Sequence, residues 1–180
     1  MDQKEFSAVL EAARAGGEWA WSQLYGNLAG PVLGYLRARG ATEPEDLLGE
    51  VFLQVARNLD SFSGDIAGFR SWVFTIAHRR LIDERRAGGR RPVEFMAEHE
   101  SGESRDPAII VGDRLSEERI SATLQSLVPD QRDVLLLRIV GGITVEEVAA
   151  ILGKTIGAVK ALQRRALQTL KRNLREAVPI

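Results

Sequence analysis

Residues Leu127–Arg175 read LVPDQRDVLLLRIVGGITVEEVAAILGKTIGAVKALQRRALQTLKRNLR, a run punctuated as three helices. Pro129 suits a first helical turn, and from Asp130 to Val140 apolar side chains recur at helical spacing (Val134, Leu135, Leu137, Ile139). Gly141-Gly142 closes that helix, because glycine takes the left-handed conformation a C-terminal cap requires. Thr144, with Glu147 three residues on, is a capping box that opens a short helix over Val145–Leu152. Gly153 ends it, and Thr155 is placed to cap a last helix running to about Arg175. A short helix, a glycine turn and a basic helix make a helix-turn-helix.

The last helix carries two faces. Val159, Leu162, Ala166 and Leu170 recur at three and four residues and predict one buried stripe. Ile156, Gly157, Lys160, Ala161 and Arg164 fall on another face near the helix start, where this motif enters the major groove. Lys160 and Arg164 can donate to guanine O6 and N7 or to phosphate, while Ala158 and Ala161 keep the helix slim and can touch a thymine methyl. From Lys154 the run continues through Arg165, Lys171, Arg172 and Arg175 with no acid before Glu176. A solvated basic helix answering its own dipole is the plainer reading. The glycine turn and the caps favour DNA contact instead.

Composition bounds the rest. A chain of 180 residues with 44% hydrophobic content can build one domain or two small ones. It has no cysteine, hence no disulfide or thiolate metal site, and its two histidines (His78 and His99) make a zinc site a poor expectation. No apolar run approaches the ~20 residues of a membrane span, and the opening MDQKEFSAV is too acidic for a signal peptide. A cytoplasmic protein without membrane insertion is expected. The formal net charge of −1 argues against a protein that coats DNA indiscriminately. Charge is nevertheless segregated: Arg70–Arg91 and Lys154–Arg175 are basic, and Glu94–Glu118 is acidic.

In the N-terminal half, Gln3–Arg14 predicts an amphipathic helix with Phe6, Val9, Leu10 and Ala13 on one side. Glu18–Arg39 predicts a second, kinked or broken at Gly30-Pro31. Its Trp21, Leu24 and Leu28 are assigned to core, and Trp19 to partial exposure. Thr42 is expected to cap a third helix, with Pro44 in the first turn and Leu47, Leu48, Val51, Phe52 and Val55 at helical spacing. Asp46 and Glu50 share a face of it, but nothing nearby supplies further metal ligands or a nucleophile, so a solvated or partner-facing surface is read there. Asn58–Gly68 has the residues of a loop. Phe69–Arg86 then predicts a helix whose apolar stripe is Phe69, Trp72, Val73, Ile76 and Leu81. Arg70, His78, Arg79, Arg80, Arg85 and Arg86 surround it. A basic helix after a polar loop suits melted DNA, the loop holding an unstacked base. An ordinary core with a soluble arginine face explains the same residues equally well.

From Gly88 to about Asp113 there is no helical period and much Gly, Glu, Ser and Pro, as in a linker. Arg114–Leu127 resumes helical spacing. The expected architecture is all-α: two small helical domains, residues 1–90 and 114–180, on a flexible acidic linker at 91–113.

Four segments together resemble the extracytoplasmic-function (ECF) group of bacterial RNA polymerase sigma factors in the sigma-70 family. They are Ala15-Gly16-Gly17-Glu18 with Trp21, Leu24 and Tyr25; Glu45-Asp46-Leu47 with Glu50 and Phe52; Phe69-Arg70-Ser71-Trp72 through Ile76-Ala77 to Leu81-Ile82-Asp83 and Arg85-Arg86; and the Leu127–Lys160 pattern with Pro129, Arg132, Gly142, Thr144, Glu147, Gly153 and Gly157-Ala158-Val159-Lys160. They stand in the family's order and span the chain.

The resemblance implies a sigma region 2-like bundle followed by a sigma region 4-like helix-turn-helix. Asp46, Leu47, Glu50, Val51, Phe52 and Gln54 would meet the clamp of the polymerase largest subunit. Ser61, Phe62 and Ser63 of the loop, with Arg70, Trp72, His78, Arg79, Arg80, Arg85 and Arg86, would melt and hold the −10 element. Thr155, Ile156, Gly157, Lys160, Ala161, Arg164 and Arg165 would read −35 duplex. The apolar surface of the C-terminal domain would sit on the flap of the second-largest subunit, and the linker would thread toward the RNA exit path. An anti-sigma factor would cover the face around Asp46, Glu50 and Phe52. No enzymatic chemistry, cofactor, metal or small-molecule substrate is implied. This chain has Arg79 and Ala161-Leu162 where many members have Asn and Ser-Arg, so its base preferences are its own, and Gly49 where Gln is frequent in the clamp helix, which loosens one contact there. Two rival readings remain: a conventional helix-turn-helix repressor or activator, and a carboxylate-dependent nuclease.

Overall fold

The structure, a computed structural model, describes residues 2–88 and 122–176, with side chains through Asn173. The described residues are helical and contain no strand. The N-terminal lobe comprises α1 (Gln3–Arg14), α2 (Glu18–Ala38), α3 (Pro44–Asn58) and α4 (Ile66–Ala87), with a 3-10 turn at Leu59–Ser61. The C-terminal lobe comprises α5 (Pro129–Ile139), α6 (Val145–Leu152) and α7 (Ile156–Glu176), preceded by helical residues 122–125. The expected linker at 91–113 and most of the Arg114–Leu127 helix lie outside the described residues.

α1 buries Phe6, Val9, Leu10 and Ala13, the side its periodicity assigns to the core. Its start is a capping box: Glu5 N–H donates to Asp2 Oδ1 at 2.8 Å and Asp2 N–H to Glu5 Oε2 at 2.9 Å. α2 runs unbroken through Pro31, so the helix does not break there. Proline removes the hydrogen bond to the carbonyl four residues back, that of Asn27, and such a loss costs ~3 kcal/mol or more in a helix interior. Asn27 is exposed, so water can serve that carbonyl. Leu28, Val32, Tyr35 and Leu36 bury the flanking turns, each worth roughly 1.5–3 kcal/mol for a large apolar side chain. Burial wins over the proline.

Thr42 does not cap α3. The helix opens at Pro44 behind Glu43, with no side-chain cap, and Thr42 N–H instead donates to Glu84 Oε1 at 3.2 Å. Proline in the first turn has no N–H to be capped and presets the helical φ, so the start moves to it. α4 begins three residues before the expected Phe69, because Asp65 Oδ1 accepts from Gly68 N–H at 2.7 Å and caps Ile66 onward. The expected Asn58–Gly68 loop shrinks to the 3-10 turn and residues 62–65. Arg14 donates to the Leu59 carbonyl at 3.3 Å and to that of Phe62, pinning this corner to α1. Aromatic rings fill the space beneath: Phe6–Phe69 at 5.5 Å, Phe62–Phe69 at 5.2 Å and Phe62 stacked on Trp72 at 5.1 Å.

The C-terminal lobe follows its punctuation closely. Thr144 and Glu147 form the expected capping box, Gly153 sits at φ +63° past the end of α6, and Thr155 Oγ1 accepts from Ala158 N–H at 3.1 Å. Val159 and Ala166 are fully buried, with Leu162 and Leu170 partly so. At the end of α5 a side chain on Gly141 would put its Cβ 2.6 Å from the Leu137 carbonyl oxygen, so only glycine fits there.

The two lobes touch. α2 packs on α5 and α4 on α6, and one contiguous apolar cluster runs from Phe6 to Val159. Sequence periodicity gives no sign of this contact.

Candidate nucleic-acid interface

α7 owes its pose to α5 and α6. Leu127, Leu135 and Ala166 form a small core beneath it, and Lys154 Nζ reaches Asp130 Oδ2 at 2.7 Å to tie the turn before α7 to the start of α5. The opposite face is open. Thr155, Ile156, Gly157, Lys160, Arg164 and Arg165 are exposed or partly so, and Ala161 is half-buried. Lys160, Gln163, Arg164, Leu167, Gln168 and Lys171 line a shallow groove along that face. Gln163 and Gln168 escaped the sequence reading; their signal is the spacing of three and four residues from Lys160 and Arg164. Bidentate amides suit adenine as guanidinium suits guanine. The groove is basic and free of carboxylates.

The basic helix α4 divides its cations. Arg79 and Arg86 are exposed, with Arg86 3.7 Å from Asp83. Arg80 Nε donates to Gln54 Oε1 at 2.8 Å, and its Nη1 lies 3.4 Å from Glu50 Oε2. Arg70 Nη1 donates to the Gly141 carbonyl of the other lobe at 3.1 Å, and Arg85 donates to the Arg39 carbonyl.

His78 needs correction as a phosphate-tracking cation. Its Nδ1 is 2.8 Å from Tyr35 Oη, and burial, with the charges of Arg39 and Arg85, holds its pKa down at about 4. Burial pushes the Tyr35 phenol up, so a protonated phenol and a neutral imidazole share this hydrogen bond. At pH 7 His78 is an internal brace. Phe62 is likewise core, with 8% of its surface exposed, because Phe69 and Trp72 enclose it. Of the loop, Ser61 and Ser63 face solvent, and Trp72 is half-buried beside them.

On α3 the expected polymerase-facing set splits. Asp46 and Glu50 are exposed and Gln54 is partly so, but Leu47, Val51 and Phe52 are buried in the lobe core. An α-helix cannot present both faces to one partner, and these three lie on the inward stripe with Leu48 and Val55. The exposed face holds a residue the sequence reading passed over: Leu53, 51% exposed, seven positions from Asp46 and three from Glu50. Tyr25 of α2, its ring 4.6 Å from that of Phe52, extends the apolar surface. Among the described residues no cluster of three or more His, Cys, Asp or Glu side chains is placed to hold a metal ion. No helix among them is long and apolar enough to cross a membrane.

Known families match both lobes. A family model described as Sigma-70 region 2 matches residues 24–91, and one described as Sigma-70, region 4 matches residues 123–172. The ECF RNA polymerase sigma factor SigD of Mycobacterium tuberculosis is 32% identical over 180 residues, covering 95% of this chain and 84% of SigD. The chain belongs to the ECF sigma factors.

A second relative, the ECF RNA polymerase sigma factor BldN of Streptomyces coelicolor, is 31% identical over 182 residues, covering 96% of this chain and 67% of BldN. Two solved structures share the fold of this ECF sigma factor. CnrH, in complex with the cytosolic domain of CnrY, superposes with a TM-score of 0.68 at 23% identity, covering 95% of this chain and 97% of CnrH. The sigma factor RpoE of Bartonella quintana, in complex with the anti-sigma factor NepR, gives a TM-score of 0.68 at 23% identity, covering 86% and 96%. As an ECF sigma factor this chain is an alternative initiation factor that binds core RNA polymerase and directs promoter-specific transcription.

Proposed function

We propose a division of labour among the named residues. Residues 1–90 act as a polymerase-binding and −10-melting domain, 91–113 as a linker and 114–180 as the −35 reader. The exposed N-terminal half of α7 enters the −35 major groove, with Lys160 and Arg164 on bases or phosphate and Gln163 and Gln168 beside them. Ser61, Ser63, Arg79 and Arg86 handle the melted non-template strand. Asp46, Glu50 and Leu53 meet the polymerase clamp. The chain performs no chemistry of its own and works in the cytoplasm beside the core enzyme.

The observation that carries this reading is the open, carboxylate-free groove of α7, backed by a lobe whose caps and packing fix that helix. Charge placed this way binds duplex backbone through counterion release and reads base edges through its few protruding donors.

An anti-sigma factor is the expected inhibitor, by likeness to the Bartonella quintana RpoE solved with NepR. It would cover the surface of Asp46, Glu50 and Leu53. If no protein co-purifies with native material and neighbouring genes can be deleted without effect on its activity, that partner is wrong.

The direct test is run-off transcription from a pool of genomic promoters, with purified core polymerase and with or without this protein. Defined transcripts that require it support the reading and deliver both promoter elements. Failure to bind core, together with a footprint on duplex DNA alone, would instead favour a conventional helix-turn-helix regulator.

A further inference from the structure

The loop assigned to melted DNA is held from outside by α1. At its entry, Arg14 Nε and Nη2 both donate to the Leu59 carbonyl at 3.3 Å, and Nη2 also reaches the carbonyl of Phe62. At its exit, Ile66 N–H donates to Gln3 Oε1 at 3.1 Å. Gln3 and Arg14 are the first and last residues of α1. About three helical turns separate them, so they project from one face and stand roughly 16 Å apart. α1 itself is firmly seated. Phe6, Val9, Leu10 and Ala13 are buried, the Phe6 ring lies against Phe69, and Trp21 Nε1 donates to the Ala13 carbonyl at 3.1 Å.

Between the two anchors the loop has little freedom. Phe62 is stacked on Trp72, and Ser61 Oγ donates to the Asn58 carbonyl at 2.7 Å. Gly64 takes φ +155°, where an added Cβ would stand 3.1 Å from Phe62 Cζ. Ser61 and Ser63 are left facing solvent. A guanidinium shared by two carbonyls fixes both at once, through charge-assisted bonds about twice as strong as neutral ones. An unstacked base is held only where the receiving groups are already in place to offset its lost stacking. α1 also lies outside the matched region 2 model, which begins at residue 24.

We propose that α1 is a positioning element for −10 recognition: Arg14 and Gln3 set the shape of the loop at residues 59–65, and through it the selectivity for an unstacked base. Both side chains act through the loop rather than on the base. The proposal rests on the reading above in which this loop holds the melted non-template strand.

Transcription by the holoenzyme is compared on a promoter recovered by the run-off experiment and on a panel substituted singly across its −10 element. The proteins are wild type, Arg14→Gln, Arg14→Lys, Gln3→Ala and Gly64→Ala. Discrimination among −10 sequences should fall by about fivefold or more in Arg14→Gln, the lower end of what one base contact supplies. Gln3→Ala should lose less, and Arg14→Lys should recover part of the loss. Preference across the −35 element and affinity for core polymerase should stay at wild-type values. A uniform loss across the −10 panel marks a merely structural role for Arg14 and overturns the proposal.

Gly64→Ala strains the loop directly without touching α1. If it loses −10 discrimination while Arg14→Gln keeps it, the loop reading stands and the role of α1 is refuted. If neither variant changes discrimination, the loop reading fails and the proposal falls with it. A second measurement needs no polymerase. Amide exchange in the free protein should quicken at Ile66 in Gln3→Ala and at residues 59–63 in Arg14→Gln, while the interiors of α3 and α4 stay protected. Unchanged exchange in the loop refutes the strut.

Discussion

Arg80 of α4 donates from Nε to Gln54 Oε1 of α3 at 2.8 Å. The bond couples the helix proposed to hold melted DNA to the helix proposed to meet polymerase. It is partly buried, so each partner's loss should cost about 0.5–1.5 kcal/mol of stability. Arg80→Ala, Gln54→Ala and the double variant form a cycle. Urea unfolding should show a coupling near ~1 kcal/mol, whereas independent side chains would give additive losses.

The His78–Tyr35 brace predicts a pH dependence of known sign. A free imidazole binds its proton near 6.5, but in the folded lobe burial and the charges of Arg39 and Arg85 hold it to about 4. The unfolded chain therefore takes up the proton first on acidification. The stability it contributes is complete above pH 6.5 and is lost as pH falls toward 4. Asp133 works oppositely. Burial pushes it up to about 6 against the pull of Arg39 and Arg85, so its contribution is full in acid and lost as pH rises through 6. Subtracting the urea midpoints of His78→Gln from those of wild type isolates the first effect. The difference should shrink steadily between pH 6.5 and 4.5, and a flat difference would contradict the assigned state of His78.

Two glycines should respond with opposite signs. Gly49 lies in the middle of α3, exposed, and a methyl group added there would meet nothing within 4 Å, so Gly49→Ala should stabilise by about 0.5–1 kcal/mol. At Gly141 the added Cβ meets the Leu137 carbonyl at 2.6 Å, so Gly141→Ala should destabilise by about 1–3 kcal/mol. Thermal melts of the two variants decide the signs.

Leu53 separates folding from binding. Half of it faces solvent, and Leu53→Ala should change stability by no more than ~0.5 kcal/mol. If the α3 face docks on polymerase, the same variant should weaken core binding by about 1–2 kcal/mol, as truncating an apolar anchor does. Titration with labelled core polymerase measures it. Val51→Ala should show the reverse pattern, because Val51 is fully buried.

Arg164 distinguishes base reading from phosphate contact. If it reads one base pair, Arg164→Ala should cost ~1–3 kcal/mol at that position and relax specificity there. If it holds phosphate, binding should weaken evenly across promoter variants and the salt slope should fall by roughly one unit. A panel of −35 substitutions assayed at two salt concentrations separates the outcomes.

The legible parts of this molecule are those governed by neighbours in sequence. Thr144 with Glu147, Gly153 and Thr155 mark the helix ends where the structure has them, because a cap is satisfied by backbone groups within three or four residues. The inward stripes of α1, α3 and α7 follow from the helical repeat alone. Local signals also misled. Pro31 and Thr42 carry the chemistry of a break and a cap, yet the burial of Leu28, Val32, Tyr35 and Leu36 keeps α2 continuous, and Pro44 sets the start of α3.

The candidate site was legible in outline and misassigned in detail for one reason. Sequence spacing places residues on a helix but does not say which face is turned inward or who waits there. Phe62 has the composition of a DNA contact and is held inside by Phe69 with Trp72, and His78 is half-buried against Tyr35. Leu53 has the composition of core and is left outside.

The helical class and the helix-turn-helix could be read from the order of residues, since they rest on short-range periodicity and capping, while the family came from the resemblance of four segments in order. The pairing of Arg39 with Asp133, the turn of Arg70 toward Gly141 and the single apolar cluster shared by the lobes emerged with the folded chain. Contacts between residues far apart in the chain depend on how whole faces match in shape and charge, and no local pattern encodes that match.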